Sequence, residues 1–292
     1  MTSPPKLPVV RIDLHTHSDA SDGTGSPGQV VAEAAAAGLD VVALTDHDST
    51  RGWDEASRAA REHGIDLLPG MEISCTYYGT SIHLLSYLHD PQFEPLLAQL
   101  EHARASRDTR AQRIVDRLAT VVPLTWDQVR AQVSDGATVG RPHIADALVA
   151  SGAVADRTEA FDRYLYNGSP YYASHYAIDV LEAIELVRAA GGVPVFAHPF
   201  AQKRGRIVDE SVIAQMRDAG LVGIEVNHPD HDPAQTRRAL EAARTFGLLV
   251  TGSSDYHGDG KPNRLGEQLT SPQVLAQILA RASGSEPVLA RG

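Results

Sequence analysis

Apolar residues along this chain follow two alternating rhythms. Short β-branched runs, VVRIDLH at 9–15, DVVALTDH at 40–47, IDLLPGMEIS at 65–74 and SIHLLSYL at 81–88, have the length and composition of buried strands. Between the first three lie stretches of helical character. Ser26 and Pro27 form a good N-cap and first-turn pair and Gly38 a good stop, which predicts a helix between them. A second helix is predicted from Trp53 to His63, closed by Gly64. The second half repeats the pattern: helix 178–190 and strand 193–198, helix 209–219 and strand 221–228, helix 233–246 and strand 248–255, then a terminal helix over 271–283. Glycines at 191, 192, 220 and 247 separate each of these helices from its strand.

Strands alternating with helices predict a parallel sheet with helices outside it. Six or seven such strands fit a closed or nearly closed barrel better than an open sheet. Between 100 and 175 the rhythm breaks, and helical stretches at 93–119, 125–133, 142–151 and 157–166 follow one another. The simplest reading is an α/β barrel in two pieces, 1–99 and 176–292, with an all-helical insertion at 100–175 over the active site.

The polar residues sharpen this picture. His15 and His17 end the first strand, Asp46, His47 and Asp48 the second, and Glu72 sits late in the third with His83 on the strand after it. His198, then Glu225 and His228, then Asp255 and His257 end the later strands. In a parallel barrel the C-terminal strand ends share one face, so these residues are expected to converge. A solitary histidine is ordinarily structural or superficial; repetition at six strand ends does not fit that explanation. Alternation along a strand puts His15 and His17 on one side. Imidazoles and carboxylates without thiolate suit Zn, Mn or Fe, and without a cation the buried like charges would repel.

Composition narrows the rest. A chain of 292 residues with 42% hydrophobic residues can bury a large core, and its single cysteine, Cys75, rules out a disulfide framework or a zinc ribbon. Cys75 is read as a small buried side chain. The net charge of −11 argues against binding duplex nucleic acid, though bound cations would still admit a small anionic substrate. No run of 18 apolar residues and no signal-like start appears, so a soluble cytoplasmic protein without a membrane partner is expected.

His15-Thr16-His17, Thr45-Asp46-His47-Asp48, Pro69-Gly70-Met71-Glu72, Ala197-His198-Pro199 and Ser254-Asp255-Tyr256-His257 resemble, in order, the motifs of the polymerase and histidinol phosphatase (PHP) family. The resemblance implies a distorted (β/α)7 TIM-like barrel holding two or three divalent ions. It implies one ion on His15, His17, Glu72 and Asp255, a second sharing Glu72 with His83 and His198, and a third on Asp22, His47 and His257. Gly140-Arg141-Pro142-His143-Ile144-Ala145 and the segment 161–169 look like the branch acting on nucleotides. Members of that branch remove the 3′-phosphate of nucleoside 3′,5′-bisphosphates or trim short RNA or DNA from the 5′ end. Ser169 departs from it, standing where the branch has a lysine.

Arg141 and His143 flank a Pro-started helix N-terminus, which attracts anions, and arginine binds phosphate in two-pronged fashion. Both are therefore candidate substrate and catalytic contacts, as is His228 beside the cluster. Arg104, Arg107, Arg110, Arg113 and Arg117 recur at three- and four-residue steps and read mainly as a solvated face, with one or two near the mouth available to phosphate. His63, His89, His102, His175 and His231 are assigned to surface or core.

The expected reaction is hydrolysis of a nucleotide phosphate ester by in-line attack of a hydroxide bridging two ions, whose charge lowers its pKa. Arg141 would neutralise developing charge, and His143 or a third ion would assist the leaving oxygen. A metal amidohydrolase would bridge its ions with a carboxylated lysine at a strand end, and Lys6, Lys203 and Lys261 are not so placed. A histidinol-phosphate-type phosphatase is a nearer alternative. A non-catalytic polymerase-accessory module would have lost ligands, and none is lost.

Overall fold

The computed structural model describes residues 10–134, 137, 139–174 and 176–290. Its sheet has eight strands, seven of them on one path: β1 (Ile12–Asp13), β2 (Val41–Leu44), β3 (Asp66–Tyr77), β4 (Thr80–Tyr87), β6 (Val193–Phe196), β7 (Gly223–Asn227) and β8 (Leu249–Gly252). The two-residue β5 (Ile178–Asp179) pairs beside β3. No β1–β8 ladder forms among the described residues. A bridge from Thr16 to Tyr256 and the bond from His17 N to Tyr256 O (2.8 Å) bring the two edges together into a nearly closed barrel.

The expectation of a wholly parallel sheet needs one correction. β4 runs antiparallel to both β3 and β6. Only two residues, Tyr78 and Gly79, separate β3 from β4, and both have positive φ (44° and 75°). That is a tight hairpin turn, and a parallel crossover needs a dozen residues or more. His83 therefore sits within β4, opposite Ser74, rather than at a C-terminal strand end.

Helices α1 (Pro27–Ala36), α2 (Trp53–His63), α7 (Val180–Ala189), α8 (Glu210–Asp218), α9 (Pro233–Phe246) and α10 (Pro272–Leu279) lie outside the strands. Ser26 caps α1 as its sequence indicates, its hydroxyl accepting from Gln29 N while the Gln29 side chain accepts from Ser26 N. Gly64 and Gly247 end α2 and α9 in the left-handed region, at φ 70° and 65°, where a side chain would add strain. Ile12, Leu14, Ala43, Leu68, Leu85 and Val195 fill one buried cluster among the strands.

The remaining helices form a separate layer. The 25-residue α3 (Glu94–Leu118) is followed by α4 (Trp126–Arg130), α5 (Arg141–Ala150) and α6 (Arg157–Ala160), and a π-helical turn at Phe161–Leu165 takes the place of the second half of the helix expected over 157–166. Leu96 and Leu100 of α3 pack with Ile184 and Val187 of α7. Ile114 and Leu118, further along the same helix, belong to a different cluster with Val129, Ile144, Leu148 and Leu165.

Candidate metal centre

The strand ends do converge. His15 Nε2 lies 3.0 Å from His17 Nε2, 3.2 Å from Glu72 Oε2 and 3.5 Å from Asp255 Oδ1. His17 Nε2 lies 3.1 Å from the same Glu72 oxygen and 3.4 Å from the same Asp255 oxygen. These separations match the ligand–ligand edges around a first-row divalent ion bound at about 2.0–2.2 Å. All four residues are buried.

Two further groups adjoin this cage. His83 Nδ1 and His198 Nε2 lie 2.8 and 3.0 Å from Glu72 Oε1, and His47 Nδ1 lies 3.4 Å from Glu72 Oε2. Asp22 approaches His257 Nε2 (3.3 Å), His17 Nδ1 (3.7 Å) and His47 Nε2 (3.9 Å). His47 thus stands between the two groups, one ring nitrogen toward each. Among the described residues, the buried atoms His17 Nδ1, His47 Nδ1, His228 Nε2 and Asp255 Oδ1 have no hydrogen-bond partner.

The electrostatics demand positive charge here. Burial opposes protonation of His15, yet Glu72, Glu225 and Asp255 hold its pKa well above the ordinary histidine value. Against the same burial, the adjacent carboxylates of Asp255 and Glu72 raise His17 to about 9. Protons cannot satisfy both rings in this geometry, because two Nε2–H groups 3.0 Å apart would point at one another. A cation shared by both lone pairs removes that conflict, and the residues fit such an ion. Burial instead pushes His47 down to about 3 and His257 to about 4, which keeps each ring neutral, with one nitrogen lone pair able to act as a ligand.

Local structure around the ligands explains their aim. Asp48, His198 and Asp255, after β2, β6 and β8, have φ of 50°, 29° and 52°. Such left-handed backbone is uncommon for non-glycine residues and concentrates at functional sites. Asp46 accepts from Ser18 N (2.8 Å), Ser18 Oγ and Ser21 Oγ (both 2.6 Å), fixing the loop that carries Asp22. Asp13, raised by burial to about 6, accepts from Ser254 N (3.0 Å) and Gly266 N (2.8 Å) beneath Asp255.

Glu225 is fully buried and contacts His15 Nδ1 (3.2 Å), His198 N (2.9 Å) and Ser253 Oγ. Burial alone would raise its pKa, but the His15 and His228 rings hold it at about 2. Arg204 and Lys261 (2.9 Å) contact the other Asp255 oxygen, Oδ2, and Arg204 also pairs with Asp230. The sequence places Glu225 at its strand end without giving it a role, gives no role to Arg204, and offers Lys261 only as a bridging lysine that its position rules out. Their signal was position alone, in loops that follow strand ends on the ligand face.

On the helical side, Arg141 Nη1 donates to Leu165 O (2.7 Å) and Asn167 Oδ1 (2.8 Å). His143 Nδ1 accepts from Gly140 N (3.0 Å), and its ring also meets the backbone of Ser21, next to Asp22. His228 Nδ1 accepts from Asp230 N (2.9 Å), so the neutral ring carries its proton on Nε2, 3.5 Å from Asp255 Oδ2. Ser169 is buried, and its hydroxyl has no partner among the described residues.

The arginine stripe of α3 is solvated only in part: Arg113 and Arg117 are exposed, whereas Arg104, Arg107 and Arg110 are half-buried. Arg104 donates to Asp48 O (2.7 Å), and Arg107 pairs with Asp48 Oδ2 (3.0 Å) and contacts Ser74 Oγ. Arg110, Arg113 and Arg117 donate to the carbonyls of Ala173, Ser174 and Tyr172. These carbonyls belong to a segment outside any helix or strand and need donors from elsewhere. Of the histidines given no chemistry, His63 is exposed, His89 is buried against Ser86 Oγ (2.9 Å), His102 stacks on Tyr176 at 4.0 Å and His231 bonds Val226 O; His175 lies outside the described residues. Cys75 is buried and free.

Comparison with known proteins agrees with this geometry. The PHP domain family matches residues 13–125. A 3′,5′-nucleoside bisphosphate phosphatase from Chromobacterium violaceum is 35% identical over 257 residues, 88% of this chain and 90% of that protein. The chain belongs to the PHP family. A PHP relative from Haemophilus influenzae, a 5′-3′ exoribonuclease, is 36% identical over 248 residues, 85% of this chain and 90% of that one. Among solved structures, a protein from Bifidobacterium adolescentis assigned as a metal-dependent phosphoesterase superposes with TM-score 0.91 at 43% identity, covering 94% of this chain and 98% of its own. A Chromobacterium violaceum structure named an amidohydrolase, holding sulfate and no metal, superposes with TM-score 0.84 at 33% identity, with the same coverages of 94% and 98%. Among the described residues no helix is long and apolar enough to cross a membrane.

Proposed function

We propose that this protein is a metal-dependent phosphoesterase that removes the 3′-phosphate of nucleoside 3′,5′-bisphosphates. The observation that carries the reading is the cage of His15, His17, Glu72 and Asp255, whose two Nε2 atoms, 3.0 Å apart, call for a shared cation. These four would hold one ion. Glu72 with His83 and His198 would hold a second, and Asp22 with His47 and His257 a third. Mn, Fe and Zn all suit such ligands. Bound divalent ions would supply Lewis acidity, polarising the phosphoryl group and activating water as the nucleophile.

The chain's own groups do the rest. Among the described residues Arg141 faces no carboxylate, and its Nε and second terminal nitrogen remain available to a phosphoryl oxygen. His228 presents an Nε2–H without an acceptor among the described residues at the edge of the cage, ready to donate to a substrate oxygen. His143, tied to Gly140 and the Ser21 loop, has the least freedom of the three, and we give it the smaller part of orienting the leaving side. Helices α3–α6 would cover the mouth and bring Arg141 to it. The bisphosphate phosphatase relative supports a nucleotide substrate, and the sulfate held by the second structural neighbour supports a tetrahedral oxyanion over an amide. The comparably similar exoribonuclease favours one alternative, trimming of short RNA from its 5′ end.

The test is phosphate release from adenosine 3′,5′-bisphosphate beside a 5′-phosphorylated short RNA, with Mn, for wild type and His15→Ala. Fast, His15-dependent release from the bisphosphate is expected. Preference for the RNA would move the protein to the exonuclease reading. Activity on neither, from metal-loaded protein, would remove the nucleotide assignment.

A further inference from the structure

Glu225 meets the histidines from the side opposite the cage. Its Oε1 takes the Nδ1 side of His15, whose Nε2 faces His17, Glu72 and Asp255, and also contacts Ser253 Oγ. Its Oε2 accepts the backbone N–H of His198, which follows β6 in left-handed conformation at φ 29°. One carboxylate on β7 therefore reaches residues that follow β1, β6 and β8, across the edge where β1 and β8 form no ladder.

We infer that Glu225 is a positioning residue for two of the three metal groups and not itself a ligand. A neutral imidazole carries one proton. With Glu225 accepting at Nδ1, that proton stays on Nδ1 and the Nε2 lone pair is left for the cage. The grouping of His15, Glu225 and His228 as a site of its own fails for the same reason, since His15 would have to offer both nitrogens. Both Glu225 oxygens are already engaged, and the His228 nitrogen on that side carries its proton. Through His198, Glu225 also supports the Glu72–His83 group. The Asp22–His47–His257 group makes no contact with Glu225 among the described residues, and its loop is held by Asp46 instead.

The inference rests on the metal assignment proposed above, and metal binding rather than turnover tests it. Glu225→Gln keeps shape and volume but offers one acceptor oxygen where three donors, His15 Nδ1–H, His198 N–H and Ser253 Oγ–H, must be met. Mn2+ affinity and stoichiometry would be measured on the full chain by competition with a chromophoric chelator. Glu225→Gln, His15→Ala, Asp22→Asn and their pairs would be compared, with metal-free melting and circular dichroism as fold controls. Glu225→Gln is expected to weaken its ions by roughly 10–100-fold, to add fully to Asp22→Asn, and to overlap with His15→Ala. If Glu225→Gln does not fold, Ser253→Ala, which removes one donor to the carboxylate, is expected to show the same overlap at smaller size. Unchanged affinity in the folded variant, or equal weakening of every ion, would overturn the positioning role. A wild type that binds no Mn2+ would instead overturn the metal assignment itself.

Discussion

The barrel rim and the helical layer over it both contribute charged side chains, but they use them differently. On the rim, carboxylates and imidazoles crowd one another with more buried charge than their own hydrogen bonds satisfy. On the helical side, arginines are spent on carbonyls and on one buried aspartate. A cluster that needs a cation is built for chemistry, whereas a row of donors meeting acceptors one for one is built to hold two layers together. Residue type does not separate these cases. Partner count does.

Variants on the two sides should therefore fail in different ways. The largest effect belongs to the rim. His15→Ala removes a proposed ligand, and kcat/KM should fall by roughly 10³-fold or more, since the ions supply several kcal/mol of transition-state stabilisation. Metal-free melting should hardly change, and phosphate release beside differential scanning fluorimetry reads both. The helical layer should show the reverse. Arg107→Ala leaves Asp48, fully buried, without its charge partner, and chemical denaturation should record a loss of about 3–5 kcal/mol. A loss of activity in Arg107→Ala without loss of stability would break the comparison.

How much of this was visible in the sequence follows the same division. Most of the ligands stand at strand ends, and strand ends are set by hydrophobic runs that stop at polar motifs, so His15, His198 and Asp255 could be placed without coordinates, whereas Glu72 and His83 lie inside β3 and β4. The β3–β4 turn was legible only in part: Tyr78-Gly79 is too short for a crossover, but neither residue marks the hairpin as strongly as Asn-Gly would. The roles of Glu225, Arg204 and the arginines of α3 were not legible. Each depends on which oxygen it meets across the fold, and spacing along one helix carries no record of a partner 33 or 63 residues away. For the arginines the periodicity is real, and the solvated face it suggests holds for Arg113 and Arg117 but not for Arg104, Arg107 and Arg110.

Two smaller effects sharpen the contrast. His89 lies outside the metal groups, and burial lowers its pKa to about 4. Its folded-state pKa is below the unfolded value, so the unfolded chain binds the proton first. The stability it contributes is present above about pH 6.5 and lost as pH falls toward 4, by about 3 kcal/mol at 1.36 kcal/mol per pKa unit. His89→Gln should flatten that part of the melting profile of metal-free protein; an unchanged slope would show that the metal-site histidines govern it instead. Arg117→Ala should be the mildest, at most about 1 kcal/mol, because Arg117 is exposed and contributes one hydrogen bond to a carbonyl that water can also reach.

The central claim is that the rim cluster holds divalent ions. Anomalous diffraction from Mn-loaded crystals of the full chain tests it most directly. Strong peaks within bonding distance of His15, His17, Glu72 and Asp255, with further peaks at the Glu72–His83–His198 and Asp22–His47–His257 groups, are the expected result. A fully loaded crystal with no peak inside the His15–His17 cage would contradict the account.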